Sequence, residues 1–177
     1  MTPGKEQDSA ALCAMLREAR ERTIGLVTSL DAGQLIGPKL GIVNPPLWEL
    51  GHVGWFQEYW CLRRRTGDIP RPSILSNADN LYDSAAVAHS TRWGLPLPDL
   101  ERTLSYLRQV LERVLEKVCD STAGDNTAYF AQLAAYHEEM HCEALTYTRQ
   151  TLGYPAPASR SGAVPREAGG LRGDAEI

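Results

Sequence analysis

Two of the chain's four histidines, His137 and His141, stand four residues apart in a segment of strongly helix-forming sequence. On an α-helix this spacing places both imidazoles on one face, about one turn apart. Two imidazoles in this arrangement can share one metal ion and leave coordination positions for a third ligand and for substrate or water. The alternative is that both are ordinary polar residues on a half-exposed helix, and the pair alone does not decide between the two.

His52 is the candidate for the third ligand. It lies in an unusually aromatic segment, where Trp48, Trp55 and Tyr59 fall on its own helical face at i−4, i+3 and i+7. A histidine on such a face is expected to be buried, and a buried imidazole needs a partner. That partner is either a tyrosine or backbone carbonyl of the core, or a metal ion shared with the histidine pair. Beside that pair we favour the metal, and we predict that the three imidazoles converge.

Other polar residues near the histidine pair are predicted not to bind the ion directly. Glu143 follows His141 by two residues and points roughly 200° round the helix from it, which favours a supporting hydrogen bond over coordination. Cys142 is turned by about 100° from the same histidine. Glu138 and Glu139 are expected to be solvated.

The composition is that of an ordinary globular protein. With 177 residues, of which 43% are hydrophobic and 23% charged, the chain is long enough for one domain and too short for two of ordinary size. A formal net charge of -4 gives no electrostatic reason to expect nucleic acid or an anionic membrane as a partner, and it suits a small polar substrate. No segment resembles a signal peptide or the ~20 apolar residues of a membrane span, so a cytoplasmic location is expected.

Four segments carry an apolar stripe at helical spacing and are predicted as helices. A residue type that caps helix N termini precedes each of them. The predicted spans are 9–30 after Asp8 or Ser9, 45–65 after Asn44, a third from Asp99 to at least Val118, and a fourth from Asp125 or Asn126 to Gly153. In the fourth, the apolar positions are Tyr129, Leu133, Tyr136, Met140, Ala144 and Leu145.

No strand is predicted, and residues 66–98 form a long irregular connection between the second and third helices. The predicted fold is therefore all-α, a four-helix bundle over residues 1–155 with a long crossover between helices two and three. Residues 156–177 are rich in glycine, proline, alanine and arginine, and they are predicted to be a linker or disordered tail.

The two histidine motifs together resemble a known family. The segments NPPLWELGHVGWF (44–56) and HEEMHCEAL (137–145) are similar to those of the DinB-like N-terminal domain of the iron-dependent sulfoxide synthases of ergothioneine biosynthesis, the EgtB group. The segment YDSAAVAHSTRWGLPLP (82–98) is similar to the branch called selenoneine synthases. The resemblance spans about residues 10–155, so it implies a DinB-like bundle for most of the chain.

The resemblance also implies a cofactor and a reaction. The resemblance implies that His52, His137 and His141 bind a non-haem ferrous ion, Fe(2+), and that Glu143 completes the motif. The implied reaction uses O2 to join sulfur or selenium to the imidazole C2 of hercynine, the trimethylated betaine of histidine. An aromatic-lined cavity is compatible with this substrate, because a quaternary ammonium is attracted to aromatic faces.

The chain differs from the family pattern in two respects. In the family a larger C-terminal domain follows the helical one and supplies much of the substrate pocket, whereas this sequence stops at Ile177. We therefore expect the chain to be part of a longer enzyme, and we expect this part to be inactive by itself. Some ergothioneine-type members have a glutamine at the position of Met140, so hydrogen bonding to the substrate imidazole is not expected there.

Two residues of the long connection are predicted to lie at the mouth of the site. Arg92 could hold a carboxylate or a sugar hydroxyl of the sulfur or selenium donor, with Trp93 beside it. The alternative is that Arg92 is solvated and that Trp93 seals the core.

Two other functions are compatible with a three-histidine bundle. The first is a stand-alone DinB-like thiol transferase, in which a divalent metal lowers the pKa of a small thiol such as bacillithiol or mycothiol. The second is a non-catalytic helical module for metal binding or dimerisation. Of the three functional hypotheses, only the ergothioneine-type enzyme requires a C-terminal catalytic domain as a partner.

Overall fold

The protein is built from α-helices, as predicted. The structure is a computed structural model that describes residues 3–64, 70–120 and 126–157, with side chains from residue 8 onward, and no strand occurs within these ranges. The α-helices are α1 (Pro3–Val27), α2 (Ala32–Ile36), α3 (Pro46–Glu58), α4 (Ala78–Tyr82), α5 (Leu100–Asp120) and α6 (Thr127–Thr151). A π-helical turn, Tyr59–Arg63, continues α3, and a 3-10 turn, His89–Gly94, precedes α5. None of the described helices combines the length and the apolar character that crossing a bilayer requires.

The four long helices, α1, α3, α5 and α6, form the bundle. Helices α1 and α3 each pack against both α5 and α6 but make few contacts with each other, so they lie diagonally opposite. Their apolar faces meet in one continuous core. Because α3 packs directly on α6, the two helices that carry the histidine motifs are neighbours.

The crossover between α3 and α5 contains more helix than the irregular connection that was predicted. Helix α4 and the 3-10 turn lie within it, and α4 packs against α3. The indole Nε1 of Trp48 donates a hydrogen bond to the backbone oxygen of Leu81 at 2.7 Å, which ties the crossover to α3. Among the described residues of the crossover, those that are buried are Leu75, Ala78, Leu81, Tyr82 and Val87.

The predicted helix boundaries agree with the structure at Asp99, whose carboxylate accepts a hydrogen bond from the backbone N–H of Arg102 at 2.8 Å and caps α5. The prediction was wrong at the start of α1, which begins at Pro3, a residue type that the first turn of a helix favours. The predicted end of the second helix at residue 65, and residues 158–177 of the predicted tail, lie outside the described residues.

The predicted cap of α3 was also wrong. The N-cap position is occupied by Pro45, and no side chain caps the helix there. The amide of Asn44 instead donates to Glu49 at 2.9 Å and accepts from Arg92 at 2.7 Å. Tertiary contacts explain the difference, because the Asn44 amide bonds to the Glu49 carboxylate and the Arg92 guanidinium instead of to the backbone of α3.

Helix α6 buries a different face from the predicted one. Tyr129, Tyr136 and Met140 are 63%, 59% and 55% exposed. The prediction is confirmed for Leu145, which is buried. It was wrong at these three positions because the bulky tyrosines dominate the hydrophobic pattern, whereas the buried face is built mainly from small and polar residues. Its buried residues are Thr127, Ala131, Ala134, Ala135, Glu138, His141, Cys142, Leu145, Thr148 and Arg149.

A buried ion pair joins α1 to α6. The Nε of Arg20 donates to Oε1 of Glu138 at 2.7 Å, and its Nη2 reaches Oε2 of the same carboxylate at 3.1 Å. The guanidinium also donates to Oε1 of Gln57 on α3 at 2.9 Å and to the backbone oxygen of Leu107 on α5 at 2.6 Å. One side chain of α1 is therefore hydrogen-bonded to each of the other three long helices.

The expectation that Glu138 is solvated was therefore wrong. Glu138 is only 1% exposed, because its charge is compensated by an arginine of another helix that spacing within α6 cannot reveal. Its neighbour Glu139 is partly exposed and pairs with Arg22.

We expect Arg20→Ala to lower the free energy of unfolding by about 3–5 kcal/mol, because it leaves the carboxylate of Glu138 buried without its partner. Urea unfolding followed by circular dichroism measures this. Arg17→Ala, which removes an exposed arginine from the same helix, is the matched control and should change stability by less than about 0.5 kcal/mol. Equal losses in the two variants would contradict the role given to the buried pair.

Candidate metal centre

The structure brings the three predicted ligands together. His52 lies on α3, and His137 and His141 lie on α6. The ring centroids are 5.1 Å apart for His52 and His137, 5.0 Å for His52 and His141, and 4.6 Å for the pair on α6. One nitrogen atom from each ring lies within 4.8 Å of the other two. The convergence arises because α3 and α6 pack side by side and turn these faces toward each other.

This donor set fits a small divalent cation. Nitrogens that share one ion at about 2.0–2.2 Å stand roughly 3–3.5 Å apart, so small side-chain movements bring the three rings into reach of a common ion. Nδ1 of His137 and Nδ1 of His141 are buried, and neither has a hydrogen-bond partner within the described part of the chain. A satisfied core histidine would have a partner at a buried nitrogen, and Nδ1 of His137 is therefore open to a ligand. Metal binding at this cluster stays a prediction, and the geometry is compatible with it.

His52 is oriented by the crossover. Its Nδ1 lies 2.8 Å from the backbone oxygen of Tyr82, so Nδ1 carries the proton of the neutral ring and Nε2 keeps a free lone pair. Metal-binding histidines commonly donate their other ring N–H to a carbonyl in this way. Gly51 makes room for the contact, since a Cβ at this position would lie 2.2 Å from Cζ of Tyr82.

Aromatic side chains stack on His52 and His137, and both imidazoles are uncharged. Trp48 stacks on His52 with centroids 4.9 Å apart and an interplanar angle of 8°, and Phe56 stacks on His137 at 3.6 Å and 6°. The pKa of His52 is lowered to about 4, mainly by burial and to a smaller extent by nearby His141. Burial likewise lowers the pKa of His137 to about 2, again with His141 contributing. His52 and His137 are thus uncharged at neutral pH, which is the form that binds metal.

The sequence analysis missed Glu49, a buried carboxylate beside the histidines. Its side chain is on α3 and is 1% exposed, and Oε1 lies 3.9 Å from Nδ1 of His141. A signal for it was present, because Glu49 is the only aspartate, glutamate, lysine or arginine between Lys39 and Glu58. An isolated charge inside an apolar helix that carries a candidate ligand indicates a buried, partnered role.

Arg92 lies close to this cluster, on the ring of Trp48. Its Cζ is 3.7 Å from the centroid of the indole, and Nη2 donates to the backbone oxygen of Val87 at 3.3 Å. Nε of Arg92 is buried without a partner among the described residues. Trp93 makes an edge contact with His89 at 5.2 Å, and among the described residues no ring contact joins it to any of the three imidazoles. Donor binding by Arg92 and Trp93 stays a prediction.

The two remaining predicted residues lie on the outer side of α6. Met140 and Glu143 are both exposed, and among the described residues no hydrogen bond joins Glu143 to any of the three histidines. The supporting role of Glu143 and the substrate contact of Met140 stay predictions. Cys142 is buried, and its Sγ lies 3.2 Å from Oγ1 of Thr23 on α1.

Comparison with known proteins identifies related sequences. A sequence model of the DinB superfamily matches residues 15–145. The hercynine oxygenase of Mycolicibacterium smegmatis is 30% identical over 153 residues, covering 81% of this chain and 35% of that protein. The hercynine oxygenases of Mycobacterium tuberculosis and Mycolicibacterium thermoresistibile are each 31% identical, covering 76% and 77% of this chain and 31% and 30% of those proteins. The chain thus spans about a third of the length of these curated relatives.

We expect the purified protein to bind a single ferrous ion per chain, and His137→Ala or His141→Ala to abolish binding with little loss of helicity. Removing a ligand disables the site but leaves the apolar faces that drive packing. Anaerobic titration with Fe(2+) and far-ultraviolet circular dichroism measure the two effects.

The matched control is His89→Ala, which removes the fourth histidine. His89 lies outside the cluster, with Nε2 at 2.7 Å from the backbone oxygen of Val43. This variant should keep wild-type affinity. Loss of helical signal in the His137 and His141 variants would instead assign both residues to the core.

Proposed function

The chain belongs to the DinB superfamily, and from that premise we propose that it is the iron-binding helical domain of an O2-dependent enzyme that joins sulfur or selenium to hercynine. The observation that carries this proposal is the cluster of His52, His137 and His141. It occurs in a chain whose curated relatives are named hercynine oxygenase. The substrates would be hercynine and a thiol or selenium donor, as in ergothioneine or selenoneine biosynthesis, in the cytoplasm.

The three imidazoles are proposed to hold Fe(2+). Three neutral nitrogen ligands leave up to about three positions of an octahedral ion for other molecules, and imidazole is a ligand type that iron accepts. Iron bound there would supply the activation of O2 that bond formation at an imidazole carbon requires. The aromatic rings of Trp48 and Phe56 shield two of the ligands from water, and the Tyr82 carbonyl keeps His52 in one orientation.

The outer side of α6 is proposed to receive hercynine. Tyr136 and Met140 are exposed, and each immediately precedes a candidate ligand, His137 and His141 respectively. An exposed tyrosine ring can attract the trimethylammonium group of hercynine. Met140 can offer only apolar contact to the substrate imidazole, so any hydrogen bond to that ring has to come from elsewhere.

The rest of the substrate pocket is proposed to come from a second domain. The match covers only 30–35% of each relative. Catalysis of this kind holds O2, donor and imidazole in one geometry, and such positioning can be worth about 7–11 kcal/mol of the barrier. We therefore propose that this helical domain supplies the metal and one wall of the pocket.

Binding of hercynine to the metal-loaded chain is the first test. We expect the Co(II)-loaded protein to increase the NMR relaxation rates of the imidazole C2 proton and the N-methyl protons of hercynine, relative to the diamagnetic Zn(II)-loaded protein. Histidine, which lacks the three methyl groups, is the matched control and should be affected less. Equal effects on the two molecules would count against hercynine as the substrate.

Turnover is the second test. Aerobic incubation of the iron-loaded chain with hercynine and thiol or selenium donors, followed by mass spectrometry, should yield no C–S or C–Se product. Repeated turnover would show that the bundle is the whole catalyst and that no second domain is needed.

The rival functions are separated by a third assay. A metal-dependent thiol transferase would transfer bacillithiol or mycothiol to an electrophile such as monochlorobimane, and would not distinguish hercynine from histidine. A non-catalytic module would bind metal but give neither result. The names of the curated relatives favour the hercynine reaction over both.

A further inference from the structure

Two neighbouring side chains at the edge of the histidine cluster, Glu49 and His141, each have an unsatisfied polar atom. Glu49 has one buried carboxylate oxygen, Oε2, without a hydrogen-bond partner among the described residues. The same holds for Nδ1 of His141, which lies 3.9 Å from the other oxygen of that carboxylate. A buried polar group without a hydrogen-bond partner destabilises the folded protein. A hydrogen bond from this Nδ1–H to the carboxylate would satisfy the imidazole, and a bond to Oε2 in particular would satisfy both atoms.

The carboxylate of Glu49 is itself held in place by a chain of hydrogen bonds. Asn44 Nδ2 donates to Oε1 of Glu49 at 2.9 Å, and Arg92 Nη1 donates to Oδ1 of Asn44 at 2.7 Å. The arginine determines which end of the Asn44 amide faces the carboxylate, because only the oxygen of the amide can accept its N–H. The buried carboxylate is thus held toward His141.

We propose that Glu49 is a positioning residue of the metal centre, which accepts the Nδ1–H of His141 and thereby directs Nε2 of that ring toward the ion. This inference rests on the proposed metal-binding function. A shift of about 1 Å in either side chain brings Oε1 of Glu49 and Nδ1 of His141, now 3.9 Å apart, to hydrogen-bond distance. The Glu49 carboxylate would then do for His141 what the Tyr82 carbonyl does for His52.

Two observations separate this role from direct coordination. The group whose donor atoms all lie within 4.8 Å of one another contains the three histidines but not Glu49. The carboxylate also approaches Nδ1 of His141, and a ring nitrogen that donates its hydrogen to a carboxylate cannot at the same time bind the ion. Glu49 is therefore placed behind the ligand, and its effect on the metal passes through His141.

The test compares wild-type protein with Glu49→Gln and Glu49→Leu. Long-range proton–nitrogen NMR correlation of the Zn(II)-loaded protein reports which nitrogen of His141 carries hydrogen and which binds metal. We expect a slowly exchanging Nδ1–H and a metal-bound Nε2 in the wild type. In Glu49→Leu this N–H signal should exchange rapidly or disappear, and Co(II) affinity should fall roughly 10- to 100-fold.

Glu49→Gln should lose less affinity than Glu49→Leu, because its amide oxygen can still accept the Nδ1–H. Glu58→Gln is the matched control, since Glu58 is an equally buried carboxylate of α3 that bonds to the hydroxyl of Tyr106 at 2.7 Å. This control should keep both the His141 signal and the Co(II) affinity.

Each outcome decides a different claim. Coordination of wild-type His141 through Nδ1, or unchanged affinity and exchange in Glu49→Leu, would overturn the role of Glu49 while leaving the metal centre intact. Absence of Zn(II) and Co(II) binding in the wild type would instead overturn the proposed function itself. If a variant fails to fold, the wild-type spectrum still shows whether His141 binds the metal through Nδ1 or through Nε2.

Discussion

The buried guanidinium of Arg20 makes hydrogen bonds to the other three long helices of the bundle. It joins α1 to Glu138 on α6, to Gln57 on α3 and to the backbone oxygen of Leu107 on α5. Arginine offers five donors in a rigid planar arrangement, and burying them unpaired is costly, so few relative positions of the four helices satisfy this group. Glu138 directly follows His137, so the contact that orders the bundle also sets where α6 places its imidazoles beside α3.

A second set of contacts orients the side chains of the candidate metal centre within this helix arrangement. The crossover returns over α3, where its Tyr82 carbonyl orients His52 and its Arg92 lies on Trp48. Burial keeps His52 and His137 uncharged, because it lowers the pKa of each ring well below neutrality. The long connection thus contributes to the site through the Tyr82 carbonyl, which orients His52, and through the Arg92 guanidinium, which lies on the Trp48 indole of α3.

Much of this arrangement could be predicted from spacing within single helices. The His137 and His141 pair, the aromatic face around His52 and the cap at Asp99 each depend on residues a few positions apart. What could not be predicted depends on partners from other helices. Glu138 was expected to be solvated because Arg20 is 118 positions away. Asn44 was expected to cap a helix because Arg92, one of its partners, is 48 positions away.

The exposed face of α6 also could not be predicted from residue spacing. Tyr136 and Met140 have the spacing of core residues, yet they are exposed, while alanines form the buried face. Hydrophobic spacing cannot distinguish a face that packs in the bundle from one that contacts a substrate or another domain. That distinction needs the position of the neighbouring helices, which the sequence pattern does not contain.

The central claim is that three imidazoles from two helices bind one iron ion, and anomalous diffraction from crystals of the Fe(2+)-loaded protein tests it most directly. Data collected on both sides of the iron absorption edge should show an anomalous peak within about 2.0–2.3 Å of one nitrogen each of His52, His137 and His141. A peak held by cysteine or carboxylate ligands elsewhere, or no peak at the three rings in fully loaded protein, would contradict the account.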